Sequence, residues 1–154
     1  MEKKEIYEQE MVTNKYEFTI KDLEEVITAF EKERVNYMVV GGWAWDGLEG
    51  RITRKHADLD VLCLGYEPVE KALNKAGYAL KRRTNDLVEF EKESKRVDVG
   101  VLRKGEEIVK GKNGIINVKP ADFKNATIKT LENVMFKIAP LHVLEEWMQT
   151  SNTK

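Results

Sequence analysis

Three aspartates carry the chemistry that this sequence can offer. Asp58 and Asp60 flank a single leucine just ahead of the apolar residues 61–64. Alternate residues of a strand project to one face, so the two carboxylates stand side by side. Two anions held that close repel each other unless a cation or a shared proton neutralises them, and Mg²⁺ is the usual cation. Asp98 lies between Val97 and Val99 in a run where valines alternate, and from a neighbouring strand it can join the pair. Three such carboxylates form the frame for metal-assisted phosphoryl or nucleotidyl transfer. Earlier in the chain, Gly41-Gly42 ends the apolar run 37–40 and opens an amphipathic turn of helix. Glycines there let backbone N–H groups approach a phosphate, and the helix N-terminus adds its dipole. Arg51, Arg54, Lys55 and His56 follow. They are cations suited to screening a triphosphate, the arginines through forked contacts.

Each part alone has a plainer reading. A Gly-Gly pair serves many tight turns, and Asp-x-Asp is often a solvated strand end. Asp98 fits the open face of an edge strand, the basic run a solvated loop, and His56 a structural hydrogen bond. Order and spacing argue for the site: strand, glycine turn, helix, cationic loop, then carboxylates leading into a strand.

The residues Gly41-Gly42-Trp43-Ala44, Asp46, Gly50-Arg51, Thr53-Arg54-Lys55-His56 and Asp58-Leu59-Asp60 together resemble the signature of small antibiotic nucleotidyltransferases. The pattern is similar to that of the aminoglycoside 2''-nucleotidyltransferases and of the lincosamide nucleotidyltransferases, both of the DNA polymerase beta-like superfamily. In order of elements the resemblance spans roughly residues 20–149, and in residues it is close only over 41–60. It implies an α/β (α+β) nucleotidyltransferase core, a twisted mixed sheet with helices packed mainly on one side. It also implies Mg²⁺ held by Asp58 and Asp60, with Asp98 as general base, further metal ligand, or both. Gly41, Gly42, Arg51, Arg54 and His56 would bind the nucleotide. The activity implied is transfer of a nucleoside monophosphate from ATP or another NTP to a hydroxyl of an aminoglycoside- or lincosamide-like acceptor, releasing pyrophosphate and conferring antibiotic resistance.

Two departures from the family pattern bear on the acceptor. Val99-Gly100-Val101 stands where relatives often carry a polar pair after the third carboxylate, and the sequence ends soon after residues 141–148. Two other readings therefore stay open: a minimal nucleotidyltransferase that modifies a protein or tRNA, and a non-catalytic nucleotide-binding module. A binding module has no need of three clustered anions. If Asp98 is not the third carboxylate, Glu89 and Glu91 are next.

The elements that must position these residues can be read in outline. A chain of 154 residues with 42% hydrophobic and 34% charged residues is long enough for one domain. We expect that domain over residues 19–154, behind a charged arm at 1–18 with no clear period. The formal net charge of -1 provides no whole-protein field for polyanions, so any nucleic-acid binding must be local. The one cysteine, Cys63, allows no disulfide within the chain and reads as core. No apolar span is long enough for a membrane and no signal pattern opens the chain, which implies a cytoplasmic protein.

Thr19 is the expected N-cap of a helix with Ile20, Leu23, Ile27 and Phe30 inward. A strand at 37–40 follows, then a helix from Pro68 that stops at Gly77, and a hairpin around residues 84–86. A strand is expected through 97–101, short weak strands near 105 and 114, a strand at 133–138, and a helix from Pro140 carrying Leu141, Leu144 and Trp147. Trp43 is expected to pack its helix on the sheet. Lys81-Arg82-Arg83 reads as a solvated face, and no motif assigns Lys137 to phosphate. The lack of a helical tail after residues 141–148 suggests a homodimer whose partner completes the acceptor cleft, the charged arm being one candidate for the contact; a monomer with an open cleft fits the residues equally.

Overall fold

The computed structural model describes residues 16–111 and 114–151. Helix α1 (Ile20–Lys32) starts as the capping pattern demands. The Asp22 N–H donates to Thr19 Oγ1 at 3.2 Å, while the Thr19 N–H donates to the Asp22 carboxylate at 2.8 Å. Such a reciprocal box satisfies two N–H groups that the first helical turn would otherwise leave bare. Leu23, Val26, Ile27 and Phe30 recur at helical spacing and are buried. Strand β1 (Tyr37–Val40) runs directly into α2 (Gly41–Glu49), and β2 (Leu59–Leu64) follows a loop. Next come α3 (Glu67–Lys75), β3 (Ala79–Thr84), β4 (Leu87–Lys92) and β5 (Lys95–Leu102). The chain ends with a ribbon of β6 (Ile108–Lys110) and β7 (Ile115–Asn117), α4 (Pro120–Lys124), the hairpin β8 (Thr127–Leu131) and β9 (Val134–Ile138), and α5 (Leu141–Ser151).

Seven strands form one mixed sheet in the order β3-β4-β5-β2-β1-β9-β8. The β1–β2, β3–β4, β4–β5 and β8–β9 pairs are antiparallel, and β2–β5 and β1–β9 are parallel. Register decides which side chains meet. Asp60 is opposite Val40 on one side and Asp98 on the other, and Asp98 is in turn opposite Glu89. Tyr37, opposite Cys63, packs its ring 5.3 Å from that of Phe30 on α1. The face bearing Tyr37, Val39, Val61 and Cys63 is therefore the one α1 covers. By alternation Asp60, Asp98 and Glu89 lie on the other face. Tyr66 at the start of α3 stacks on Phe90, which is opposite Val97, so α3 shares the face of α1.

Two elements escaped the sequence reading, β8 and α4. The β8 segment TIKTL leaves Ile128 exposed and lies at the sheet edge, so no buried alternation marks it. Helix α4 has five residues, too few to show a period. Within α5, Val143, Leu144 and Trp147 are buried, but Leu141 is exposed; the first residue after Pro140 points out from the packed face. Of the arm expected over 1–18, residues 1–15 lie outside the described residues, including Ile6, Tyr7 and Met11. Phe18 is fully buried and bridges to His56. Among the described residues no helix is long and apolar enough to cross a membrane.

Candidate active site

Asp58, Asp60 and Asp98 converge where the parallel strands β2 and β5 begin. Each offers a carboxylate oxygen within 4.8 Å of the others. The clustering follows from register, since Asp60 and Asp98 are direct neighbours across β2–β5 and Asp58 is two residues back. Burial, followed by the charges of Asp58 and Asp98, pushes the Asp60 carboxyl well above its ordinary pKa. Asp98 is raised too, first by burial and then by Asp58, although Arg96 pulls it the other way. One oxygen of Asp98, Oδ1, is buried with no hydrogen-bond partner. Three crowded carboxylates, two of them resisting ionisation and one with an orphaned oxygen, are a donor set that a divalent cation satisfies. The fit to Mg²⁺ chemistry is good.

The glycine turn closes on the same cluster. Gly41 has a φ of +72°, in the left-handed region, and a Cβ there would lie 2.5 Å from Asp60 Oδ2. At Gly42 a Cβ would lie 2.5 Å from Arg54 Nη2 and 2.8 Å from the His56 ring. Both positions need glycine because the side chains of Asp60, Arg54 and His56 lie against the bare backbone. No side chain caps the N-terminus of α2, so its first N–H groups are available to an anion.

The loop between α2 and β2 is held by a buried acid. Asp46 accepts from the Thr53 hydroxyl at 2.6 Å, from the Thr53 N–H at 3.2 Å, and from His56 Nε2 at 2.6 Å. Burial works to raise the Asp46 pKa, but these donors outweigh it and the carboxylate is favoured. Burial pushes His56 down, more than Asp46 pulls it up. The pair is thus a neutral imidazole donating to an anion. The His56 ring also lies 4.3 Å from that of Trp43.

A cavity of about 310 Å³ opens in front of the acids, walled by Leu87, Glu89, Ile116, Trp147 and Thr150 among others. Its size suits a small molecule. Its walls come from β4, the β6–β7 ribbon and α5, so α5 reaches the face opposite α1 and α3.

Of the residues picked out by sequence, Asp58, Asp60, Asp98, Gly41 and Gly42 come together, and Arg54 sits over Gly42. Arg51 stays exposed in the bend after α2. His56 is 4% exposed and engaged with Asp46, which makes it a group that shapes the loop. Trp43 is buried beneath the turn, as its expected packing role requires. The basic run of β3 is used locally: Lys81 pairs with Glu91, Arg82 with Glu89, and Arg83 lies over the Tyr66 ring. Lys137 lies over the Tyr37 ring at the other end of β1. Sequence reasoning missed the roles of Asp46 and Arg96. An acid on the face of α2 shared with Trp43, and an arginine two residues before Asp98, were the available signals.

A carboxylate triad on a mixed sheet beside a glycine turn is a frame for nucleotidyl transfer, and the protein is a nucleotidyltransferase of the polymerase beta-like superfamily. The chain belongs to the aminoglycoside-2''-adenylyltransferase family, which it matches over residues 22–134. Its fold is similar to that of the lincosamide antibiotic adenylyltransferase LnuA in a lincomycin-bound crystal structure, with a TM-score of 0.66 and 19% identity over 85% of this chain and 86% of that one. It is similar also to ANT(2'')-Ia in complex with adenylyl-2''-tobramycin, with a TM-score of 0.64 and 15% identity over 86% and 75% of the two chains. A nucleotidyltransferase-like structure from Thermotoga maritima gives a TM-score of 0.61 and 14% identity over 87% and 85%. At these identities the structural likeness is one of fold. No curated protein sequence matches the chain.

Proposed function

We propose that the protein is a Mg²⁺-dependent adenylyltransferase that moves the nucleoside monophosphate of ATP, or of another NTP, to a hydroxyl of a small aminoglycoside- or lincosamide-like acceptor, releasing pyrophosphate. The observation that carries this reading is the carboxylate triad at the wall of a cavity of small-molecule size. Asp58 and Asp60 would hold the metal, with Asp98 able to add a third ligand. Mg²⁺ bound there would neutralise triphosphate charge and stabilise the leaving pyrophosphate. The backbone N–H groups at Gly41 and Gly42 and the guanidinium of Arg54 orient the phosphates. Arg51, exposed at the loop's start, reaches the nucleotide from solvent, and His56 serves the nucleotide by holding the loop that carries Arg54.

Asp98 takes the proton of the acceptor hydroxyl. The acceptor oxygen then bonds to the α-phosphorus as the bond to the β-phosphate oxygen breaks, and pyrophosphate leaves with the electron pair. A positioned base of this kind contributes about 10²–10⁴ in rate. The apolar walls at Leu87, Ile116 and Trp147 exclude water from the α-phosphate and offer a flat surface to a ring.

Incubation with Mg²⁺ and α-labelled NTPs, against panels of aminoglycosides, lincosamides, tRNA and proteins, tests the reading. Label transferred to a small hydroxylated acceptor is the expected outcome. Label appearing only on tRNA or protein would move the acceptor class to macromolecules, and no transfer to any acceptor would refute the assignment.

A further inference from the structure

Among the described residues, Arg96 is the cation paired with the carboxylate cluster, and the transfer reaction makes no use of it. Its Nη2 donates to Asp58 Oδ2 at 2.7 Å and lies 3.4 Å from Asp98 Oδ2. The guanidinium also has an aromatic neighbour. Its central carbon lies 5.4 Å from the centre of the Tyr16 ring. The Tyr16 hydroxyl bonds Glu91 and accepts from Lys81 at 3.0 Å. Backbone links hold the segment that bears Tyr16 as well: the Glu17 N–H donates to the Ser94 carbonyl, and Lys95 Nζ donates to the Glu17 carbonyl at 2.9 Å. Such a cation is pinned, unlike a lysine on a flexible stem, and a planar guanidinium under an aromatic ring is a favourable packing.

A pinned positive charge has two opposite effects on this cluster. It offsets the repulsion among three carboxylates, which steadies the fold while no metal is bound. It also repels an incoming divalent cation, and between partly buried charges that repulsion is poorly screened. A triphosphate brings its own negative charge and would tip the balance back. We propose that Arg96, clamped by Tyr16, is a built-in counter-ion that stabilises the metal-free carboxylate cluster and weakens its affinity for a divalent cation until nucleotide arrives. The inference rests on the nucleotidyl-transfer reading for its last clause; the counter-ion role stands on the contacts alone.

The test uses the full chain. Melting in EDTA and titration with Mn²⁺, without and with a non-hydrolysable NTP, are compared for wild type, Arg96→Met, Arg96→Lys, Tyr16→Leu and the Asp58→Asn/Arg96→Met double variant. Arg96→Met should melt several degrees lower in EDTA, and adding Asp58→Asn should restore most of that loss. Without nucleotide, Arg96→Met should bind Mn²⁺ at least ten-fold more tightly than wild type. Tyr16→Leu and Arg96→Lys, which keep a cation but loosen its hold, should shift affinity the same way by smaller factors. A lower melting temperature with unchanged or weaker Mn²⁺ binding marks a merely structural ion pair and overturns the proposal. Should Arg96→Met not fold, Tyr16→Leu and Arg96→Lys decide by the same Mn²⁺ readout. Should wild type bind no Mn²⁺ even with nucleotide, the functional reading falls, and the EDTA melts still judge the counter-ion: failure of Asp58→Asn to restore stability refutes it.

Discussion

Substituting Gly41 by alanine tests whether the glycine turn is shaped by the Asp60 carboxylate. The φ of Gly41 is +72°, and an alanine Cβ would lie 2.5 Å from Asp60 Oδ2, 3.2 Å from its Cβ and 3.3 Å from its Cγ. The backbone conformation alone costs about 1–2 kcal/mol in a residue with a Cβ. The contact cannot be relieved at the tip of a long side chain, because Asp60 is short and sits on the central strand β2. Overpacking of this kind adds about 1–3 kcal/mol. A central sum of about 3 kcal/mol lowers the melting temperature of a chain of this size by roughly 6–12 °C. Gly50 supplies the control. Its φ is +81° and a Cβ there meets nothing within 4 Å, so Gly50→Ala bears the backbone cost only, about 1–2 kcal/mol. Displacing Asp60 by the order of an ångström should also cost Gly41→Ala about 10² in turnover, whereas Gly50→Ala should keep its activity. Differential scanning calorimetry and the transfer assay read both effects. If the two variants melt together and both stay active, the close approach of Asp60 is not what requires glycine at 41.

Asp60→Asn should abolish transfer while leaving the metal-free melting temperature unchanged or higher, because it removes a charge that burial, Asp58 and Asp98 all disfavour; near-full Mg²⁺-dependent activity would sink the metal-ligand role. Asp58→Asn should likewise lose activity. Asp98→Asn should lower turnover by about two to four decades with little change in nucleotide affinity if it is the base, and a shifted Mg²⁺ dependence would mark it as a ligand as well. Asp22 sets an acid-stability prediction. Burial raises its pKa, but Lys95 at 2.8 Å and the Thr19 donors outweigh that and the net shift is downward from 3.8. On acidification the unfolded chain therefore binds the proton first, so the contribution is complete above 3.8 and is lost as pH falls through the folded value. Asp22→Asn should cost about 1 kcal/mol at neutral pH, from the lost first-turn charge and the Lys95 pair, and should show a shallower fall in melting temperature than wild type between about pH 5 and 3; parallel curves would refute the sign.

Much of the candidate site's arrangement was legible before the fold was known, because its parts are local. Asp58 and Asp60 are two residues apart, Gly41 and Gly42 are adjacent, and strand alternation and the demands of a tight turn act over that distance. Thr19 and Asp22 specified the start of α1 for the same reason. What only the tertiary structure decided depends on register and side-chain conformation. That Asp98, and not Glu91, is the acid beside Asp60 follows from β2 and β5 pairing in parallel across 37 intervening positions, a choice made by the packing of the whole sheet. His56 read as a nucleotide-facing cation because sequence could not show that Asp46, one turn into the preceding helix, would draw its ring into the protein. The edge strand β8 was invisible because only one neighbour pairs with it and its Ile128 faces water. Arg96 stands two residues before Asp98 in the chain, yet its place among three carboxylates beside the Tyr16 ring is settled by contacts 38 and 80 residues apart, the first to Asp58 and the second to Tyr16.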